Sequence, residues 1–189
     1  MKVGVLALQG AVTPHLQKIE ALGATAVRVT TEAHLRNCDA LIVPGGESTT
    51  MLKLIASNHL FDPLQAFFRT KPVWGTCAGA ILLAAEVINP PQQSFAAIQV
   101  RAERNAYGSQ LDSFTTDVLF SPLNKHITVD FIRAPKIYPL SQSVEVLASH
   151  NGTAVCCREG NIVVSTFHTE LGASNDMYAW LIEDYFQSF

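Results

Sequence analysis

Gly75-Thr76-Cys77-Ala78-Gly79 sets a thiol between two glycines, at the point where the run Pro72-Val73-Trp74 gives way to a helix-forming stretch. A G-x-nucleophile-x-G sequence suits a strained strand-to-helix turn that lifts its central side chain above a sheet. A thiol placed there faces the positive end of a helix dipole, which favours thiolate, and the Ala78 amide is positioned to donate to a developing oxyanion. A buried structural cysteine is the competing reading, because free cysteine is among the most buried residue types. Pro44-Gly45-Gly46-Glu47-Ser48 ends an earlier apolar run, at the carboxyl edge where open α/β sheets bind ligands. Gly45 and Gly46 let backbone approach a substrate closely, Glu47 suits an ammonium group, and this loop is expected to supply a second oxyanion donor. The plainer alternative is a turn with Ser48 or Thr49 capping a helix. No G-x-x-x-x-G-K-[ST] pattern is present, so it is not a phosphate loop.

Phe167-His168-Thr169-Glu170 follows another apolar run, and in extended chain the i, i+2 spacing puts His168 and Glu170 on one face. A histidine with a carboxylate is the base and orienter of a Cys-His-acid arrangement. A solvated pair at a strand end is the ordinary alternative. Arg104 and Arg133 are natural bidentate partners for a substrate carboxylate, although a surface role is commoner for arginine. His15, His34, His59, His126 and His150 read as structural or solvated.

These groups need a scaffold, and the first half of the chain supplies one by alternating short apolar runs with helical periodicity, the pattern of βαβ units. Strands are expected at 3–8, 26–29 and 39–43. Thr13 is placed to cap a first helix with Pro14 at its first position, and Gly23 to end it. Further helices are expected around 51–55 and 61–68, and a deeply buried one over 78–86. After Asn89-Pro90-Pro91 the texture changes to short strands near 97–100, 116–120, 129–132 and 144–147. His150-Asn151-Gly152 and Glu159-Gly160-Asn161 mark two tight turns of an antiparallel meander that ends at 162–167. A closing helix carries Met177, Trp180, Leu181 and Tyr185. The whole reads as a three-layer α/β/α domain over 1–189 with a mixed, mainly parallel central sheet of flavodoxin-like type.

Composition narrows the function. A chain of 189 residues can bury roughly 70% of its unfolded surface in one core. Hydrophobic residues make up 48% and charged ones only 15%, against a usual share of about 25%, which excludes disorder. A net charge of −3 without a basic run disfavours nucleic acid and anionic membrane as partners. No window reaches about 18 consecutive apolar residues, so no membrane span is expected. Cys38, Cys77, Cys156 and Cys157 lack CxxC or metal-ligand spacing, and the vicinal pair points to opposite faces of a strand. A reducing cytoplasm is the simplest home for them.

Taken together, Leu6-Ala7-Leu8-Gln9-Gly10, the 44–49 and 75–79 blocks, Glu103-Arg104-Asn105, Asp112-Ser113-Phe114, Ile132-Arg133-Ala134-Pro135, His150-Asn151-Gly152 and the 167–170 block resemble one family. It is that of the glutaminase subunits of pyridoxal 5′-phosphate synthase, class I (triad) glutamine amidotransferases. The resemblance runs in order from residue 6 to residue 170. It implies that Cys77 is the nucleophile, that His168 and Glu170 complete its relay, and that Gly46 and Ala78 supply oxyanion amides. It further implies that Gly45, Gly46, Glu47, Arg104, Ile132 and Arg133 bind L-glutamine. No metal or organic cofactor is called for. Ammonia would pass to a separate synthase subunit that builds pyridoxal 5′-phosphate from ribose 5-phosphate and glyceraldehyde 3-phosphate, docking near Gln9-Gly10 and Gly45-Gly46.

Two stretches depart from the family pattern. Thr169 stands where the family has proline, which removes a fixed φ, and the triad is expected to survive with less rigidity. Residues 171–176 are also atypical. Two rival readings stay open at this point. One is the amidotransferase subunit of imidazole glycerol phosphate synthesis, whose elbow reads G-x-C-x-G-M-Q where this chain has Gly79-Ala80-Ile81. The other is a non-catalytic protein of the same architecture with Cys77 as a redox sensor, which would not need His168 near the thiol.

Overall fold

The computed structural model describes residues 1–104 and 113–189. From the N-terminus the elements are β1 (Lys2–Leu6), α1 (Val12–Ala21), β2 (Thr25–Val29), α2 (Glu32–Arg36), β3 (Ala40–Val43), α3 (Ser48–Ser57), α4 (Phe61–Thr70), β4 (Val73–Thr76) and α5 (Ala78–Leu83). There follow β5 (Ala84–Ile88), β6 (Ile98–Glu103), β7 (Phe114–Phe120), β8 (Lys125–Phe131) and β9 (Lys136–Pro139). The chain closes with β10 (Glu145–His150), β11 (Thr153–Glu159), β12 (Ile162–Ser165) and α6 (Asp176–Ala179). A π-helical turn, Trp180–Tyr185, extends α6.

Seven strands form the central sheet in the order β10-β11-β12-β4-β3-β1-β2. Pairings from β12 across to β2 are parallel, while β10-β11 and β11-β12 are antiparallel. β3, β4 and β12 are buried at every residue, as their unbroken apolar character requires of parallel strands covered on both faces. Successive side chains alternate between two cores. Leu41 and Val43 join Met51, Ile55, Leu64 and Leu83 on one side. Ala40 and Ile42 join Trp74, Phe120, Phe131, Tyr178 and Leu181 on the other. The neighbouring cysteines obey the same rule, with Cys157 in the first core and Cys156 in the second. All four cysteines are free and buried.

The structure corrects several expected boundaries. Helix α1 begins at Val12 after Ala11, with no side-chain cap, because Ala11 N–H is drawn to the Gly45 carbonyl (3.3 Å). Pro14 therefore lies third in the helix, where its missing N–H still costs nothing. The helix expected to run to residue 86 stops at Leu83 and becomes β5, because Phe95 N–H and Ala97 N–H take the Leu82 and Leu83 carbonyls (both 2.8 Å). β5 pairs with β6, and β6 with β9, in a small second sheet that periodicity did not reveal; α2 was likewise unforeseen. Among the described residues, no helix is long and apolar enough to cross a membrane.

Candidate active site

The site assembles where β3, β4 and β12 end. Cys77 sits between β4 and α5 at φ 51°, ψ −105°, a backbone conformation that L side chains rarely adopt. Gly79 makes the turn sterically possible: a Cβ there would lie 2.0 Å from the Val43 carbonyl oxygen. Cys77 N–H donates to Ser165 O (2.8 Å), and the Thr76 hydroxyl donates to Phe167 O (2.5 Å). The elbow is thus tied directly to the segment carrying His168.

That segment is held from its other side by β8. His168 N–H donates to Asp130 O (2.7 Å) and Asp130 N–H returns a bond to His168 O (3.0 Å). His168 Nδ1 then lies 2.6 Å from Glu170 Oε1, and the ring and the Cys77 side chain both lie against Gly45. The three residues are 8%, 7% and 4% exposed, in the order Cys77, His168, Glu170. Burial works against a charged His168, but its interactions with Cys77 and Glu170 prevail and push its pKa up to about 10. Burial likewise opposes ionisation of Glu170, yet the His168 hydrogen bond and the nearby histidines hold its carboxyl below the ordinary value. A buried imidazolium-carboxylate pair beside Cys77 follows.

Thr169 makes a contact that its sequence reading did not include. Its N–H donates to Glu170 Oε2 (3.1 Å), a bond no proline could make, so the substitution adds an anchor to the carboxylate.

The opposite wall is polar. Glu47, not Ser48 or Thr49, is the N-cap of α3: its carboxylate accepts from Thr49 N–H (3.2 Å), Thr50 N–H (2.7 Å), the Thr50 hydroxyl (2.9 Å) and the Thr49 hydroxyl. Those bonds, the Thr49 hydroxyl foremost, bring the Glu47 pKa down to about 2. Ser48 instead turns its hydroxyl to Gln92 Oε1 (2.9 Å). Arg104 Nη2 approaches Glu47 Oε1 at 3.4 Å, and Glu47 N–H donates to Gln9 Oε1 (2.8 Å). Gly45 packs flat against the imidazole, so that a Cβ there would meet His168 Cε1 at 2.5 Å. Arg133, exposed and at φ 45°, stands across the opening.

Every site residue singled out from sequence lines one cavity of about 440 Å³: Gly45, Gly46, Glu47, Cys77, Ala78, Arg104, Ile132, Arg133, His168 and Glu170. Gln9, Ala11, Ser48, Ile81, Pro135 and Leu171 complete the lining. Ala78 opens α5, where a backbone N–H has no intrahelical acceptor. Asn105 and Asp112, two residues of the resemblance, lie outside the described residues. His15, read from sequence as structural or solvated, is fully buried on α1 with Nε2 3.8 Å from Glu170 Oε1. Its spacing from Val12 and Ile19 was the available signal, since the three share the buried stripe of the helix.

A thiol beside a histidine that is hydrogen-bonded to a carboxylate, faced by arginines and main-chain amides on a three-layer α/β fold, defines a cysteine-nucleophile enzyme for small carboxylate-bearing substrates. The chain belongs to the SNO glutamine amidotransferase family, whose model matches residues 5–187. It is 47% identical over 180 residues to a protein of Haemophilus ducreyi named pyridoxal 5′-phosphate synthase subunit PdxT, covering 95% of this chain and 94% of that one. A protein of the same name from Bacillus cytotoxicus is 44% identical over 184 residues, covering 97% and 94%. A solved structure described as a glutamine amidotransferase superposes with a TM-score of 0.90 at 38% identity, over 96% of this chain and 97% of that one.

Proposed function

We propose that the chain is one cytoplasmic glutaminase domain over 1–189, and that Cys77, His168 and Glu170 perform its chemistry. It is the glutamine-hydrolysing subunit of pyridoxal 5′-phosphate synthase, and it works with a separate synthase subunit that receives its ammonia. The reading rests on its PdxT relatives and on the single observation that His168, hydrogen-bonded to Glu170, shares one cavity with Cys77. A redox-sensor role for Cys77 does not call for that arrangement. Four unpaired cysteines support the cytoplasmic assignment.

The mechanism follows from the geometry. L-glutamine enters with its α-carboxylate toward Arg104 and Arg133 and its α-ammonium toward Glu47, which brings its carboxamide to the elbow. Cys77, its proton passed to His168, attacks the amide carbon as thiolate, and the amides of Gly46 and Ala78 take the oxyanion. His168, protonated at neutral pH, gives its proton to the departing nitrogen; ammonia leaves and a γ-glutamyl thioester remains. Neutral His168 then takes a proton from water, the hydroxide attacks the thioester, and glutamate departs as the Cys77 thiolate and protonated His168 are restored. Glu170 keeps the ring oriented and stabilises its charge through both steps.

The test is glutamate release from glutamine by wild-type and Cys77→Ala protein, each with and without the synthase subunit. Release that rises with the partner and disappears in Cys77→Ala is expected. Equal release by both proteins would overturn the assignment.

A further inference from the structure

Behind Glu170, on the side away from the cavity, lies a second histidine that the mechanism above leaves unused. His15 is fully buried, with its ring edge-on to Trp74 (centroids 5.6 Å apart, 76° between planes). The hydroxyl of Tyr178, itself fully buried, lies 2.5 Å from His15 Nδ1. Burial, with the Glu170 charge adding to it, pushes the Tyr178 pKa well above its ordinary value, so that hydroxyl keeps its proton and donates it. Nδ1 is therefore the acceptor, and the proton of the neutral ring sits on Nε2. His15 Nε2 faces Glu170 Oε1 at 3.8 Å and has no hydrogen-bond partner among the described residues. Burial is the main reason that the ring stays neutral, with a pKa of about 4, and so offers Glu170 a dipole without competing with His168 for its charge.

We propose that His15 and Tyr178 are positioning residues for the glutaminase reaction: Tyr178 fixes the Nε2–H tautomer of His15, and that N–H holds the Glu170 carboxylate in line with His168. The inference rests on the function proposed above. Oε1 already accepts from His168 at 2.6 Å and Oε2 from Thr169 N–H at 3.1 Å. His15 supplies the remaining contact, on the outer side of Oε1, and a shift of under about 1 Å brings it to hydrogen-bond length. The carboxylate is then caught from three directions while His168 moves its proton between sulfur, nitrogen and water. An imidazole kept only to fill space gains nothing from an unpaired polar atom beside a carboxylate.

The experiment uses the complex with its synthase subunit and the double variant His15→Leu/Tyr178→Phe, which removes both polar partners and keeps apolar volume. We expect a thermal midpoint close to that of wild type, an unchanged KM for glutamine and a kcat lowered about ten- to a hundred-fold, the penalty of a misplaced catalytic group. His15→Gln, which keeps an N–H near the Nε2 position, restores most of that loss. A double variant with wild-type kcat, or a His15→Gln variant no better than it, overturns the proposal. Long-range ¹⁵N NMR of the histidine-labelled wild-type chain is a second readout that no folding defect can obscure. His15 as the neutral Nε2–H form at pH 7 supports the relay, and a protonated or Nδ1–H ring overturns it. Absence of glutamate release by the wild-type complex would instead sink the glutaminase reading.

Discussion

The two walls of the cavity are built on opposite plans. The wall of Cys77, His168 and Glu170 is buried and pinned by main-chain bonds from β8, β12 and the elbow. The wall of Glu47, Arg104 and Arg133 is more open: the Glu47 side chain is 50% exposed, that of Arg104 16%, and their contact is long, at 3.4 Å. The contrast teaches where rigidity is useful. Groups that make and break bonds gain from a fixed, dry setting, because a small misplacement there slows the reaction steeply. Groups that admit and release a charged substrate are better left solvated, since an exposed ion pair contributes only about 0–1 kcal/mol and yields readily to an incoming carboxylate.

If that division holds, variants on the first wall lower kcat and variants on the second raise KM. Cys77→Ala carries the largest effect, a loss of about a million-fold in kcat, read as glutamate release in the presence of the synthase subunit. Glu170→Gln comes next, at about ten-thousand-fold, because it leaves the His168 ring without its orienting anion. It also shifts the pH profile. The hydrogen bonds and charge that raise His168 to about 10 are partly lost, so the alkaline fall in activity moves from near pH 10 toward the ordinary histidine range. An unmoved alkaline limb would separate Glu170 from His168.

Arg104→Ala is expected to raise KM about ten- to a hundred-fold with kcat nearly intact, as loss of a charged hydrogen bond to substrate requires. A fall in kcat at constant KM would break the comparison between the walls. The smallest effect belongs to the stability of Glu47→Gln, which weakens the α3 cap by about 0.5–1 kcal/mol at neutral pH. The folded pKa of Glu47 is depressed, so its stabilisation is present above the ordinary value of 4.5 and is lost as pH falls toward about 2. Thermal melts of the two proteins should therefore differ at pH 7 and converge toward pH 2.

The buried wall was also the more legible in sequence, and the reason is range. The elbow is a five-residue pattern whose glycines answer local sterics, and the pairing of His168 with Glu170 spans two positions. The open wall depends on contacts between distant segments. Nothing beside Glu47 distinguishes it as a cap when Ser48 and Thr49, stronger cappers by type, stand next to it. Its partner Arg104 belongs to the end of another sheet. The same limit hid β5: residues 78–85 are nearly all apolar, which suits helix and strand alike, and only the amides of Phe95 and Ala97 set the break. His15 was read as structural because its meaning lies in Glu170 and Tyr178, both at the far end of the chain.

The seating of the four cysteines makes the native protein its own gauge of competent sites. Burial pushes the Cys38 thiol up to about 11 and Cys157 to about 12, and it raises Cys156 well above its ordinary value. Only Cys77 lines the cavity. A thiol-directed alkylating reagent applied to the folded chain at neutral pH should be consumed in a one-to-one ratio, and denaturant should expose three equivalents more. The difference between those two counts measures the correctly folded fraction of any preparation.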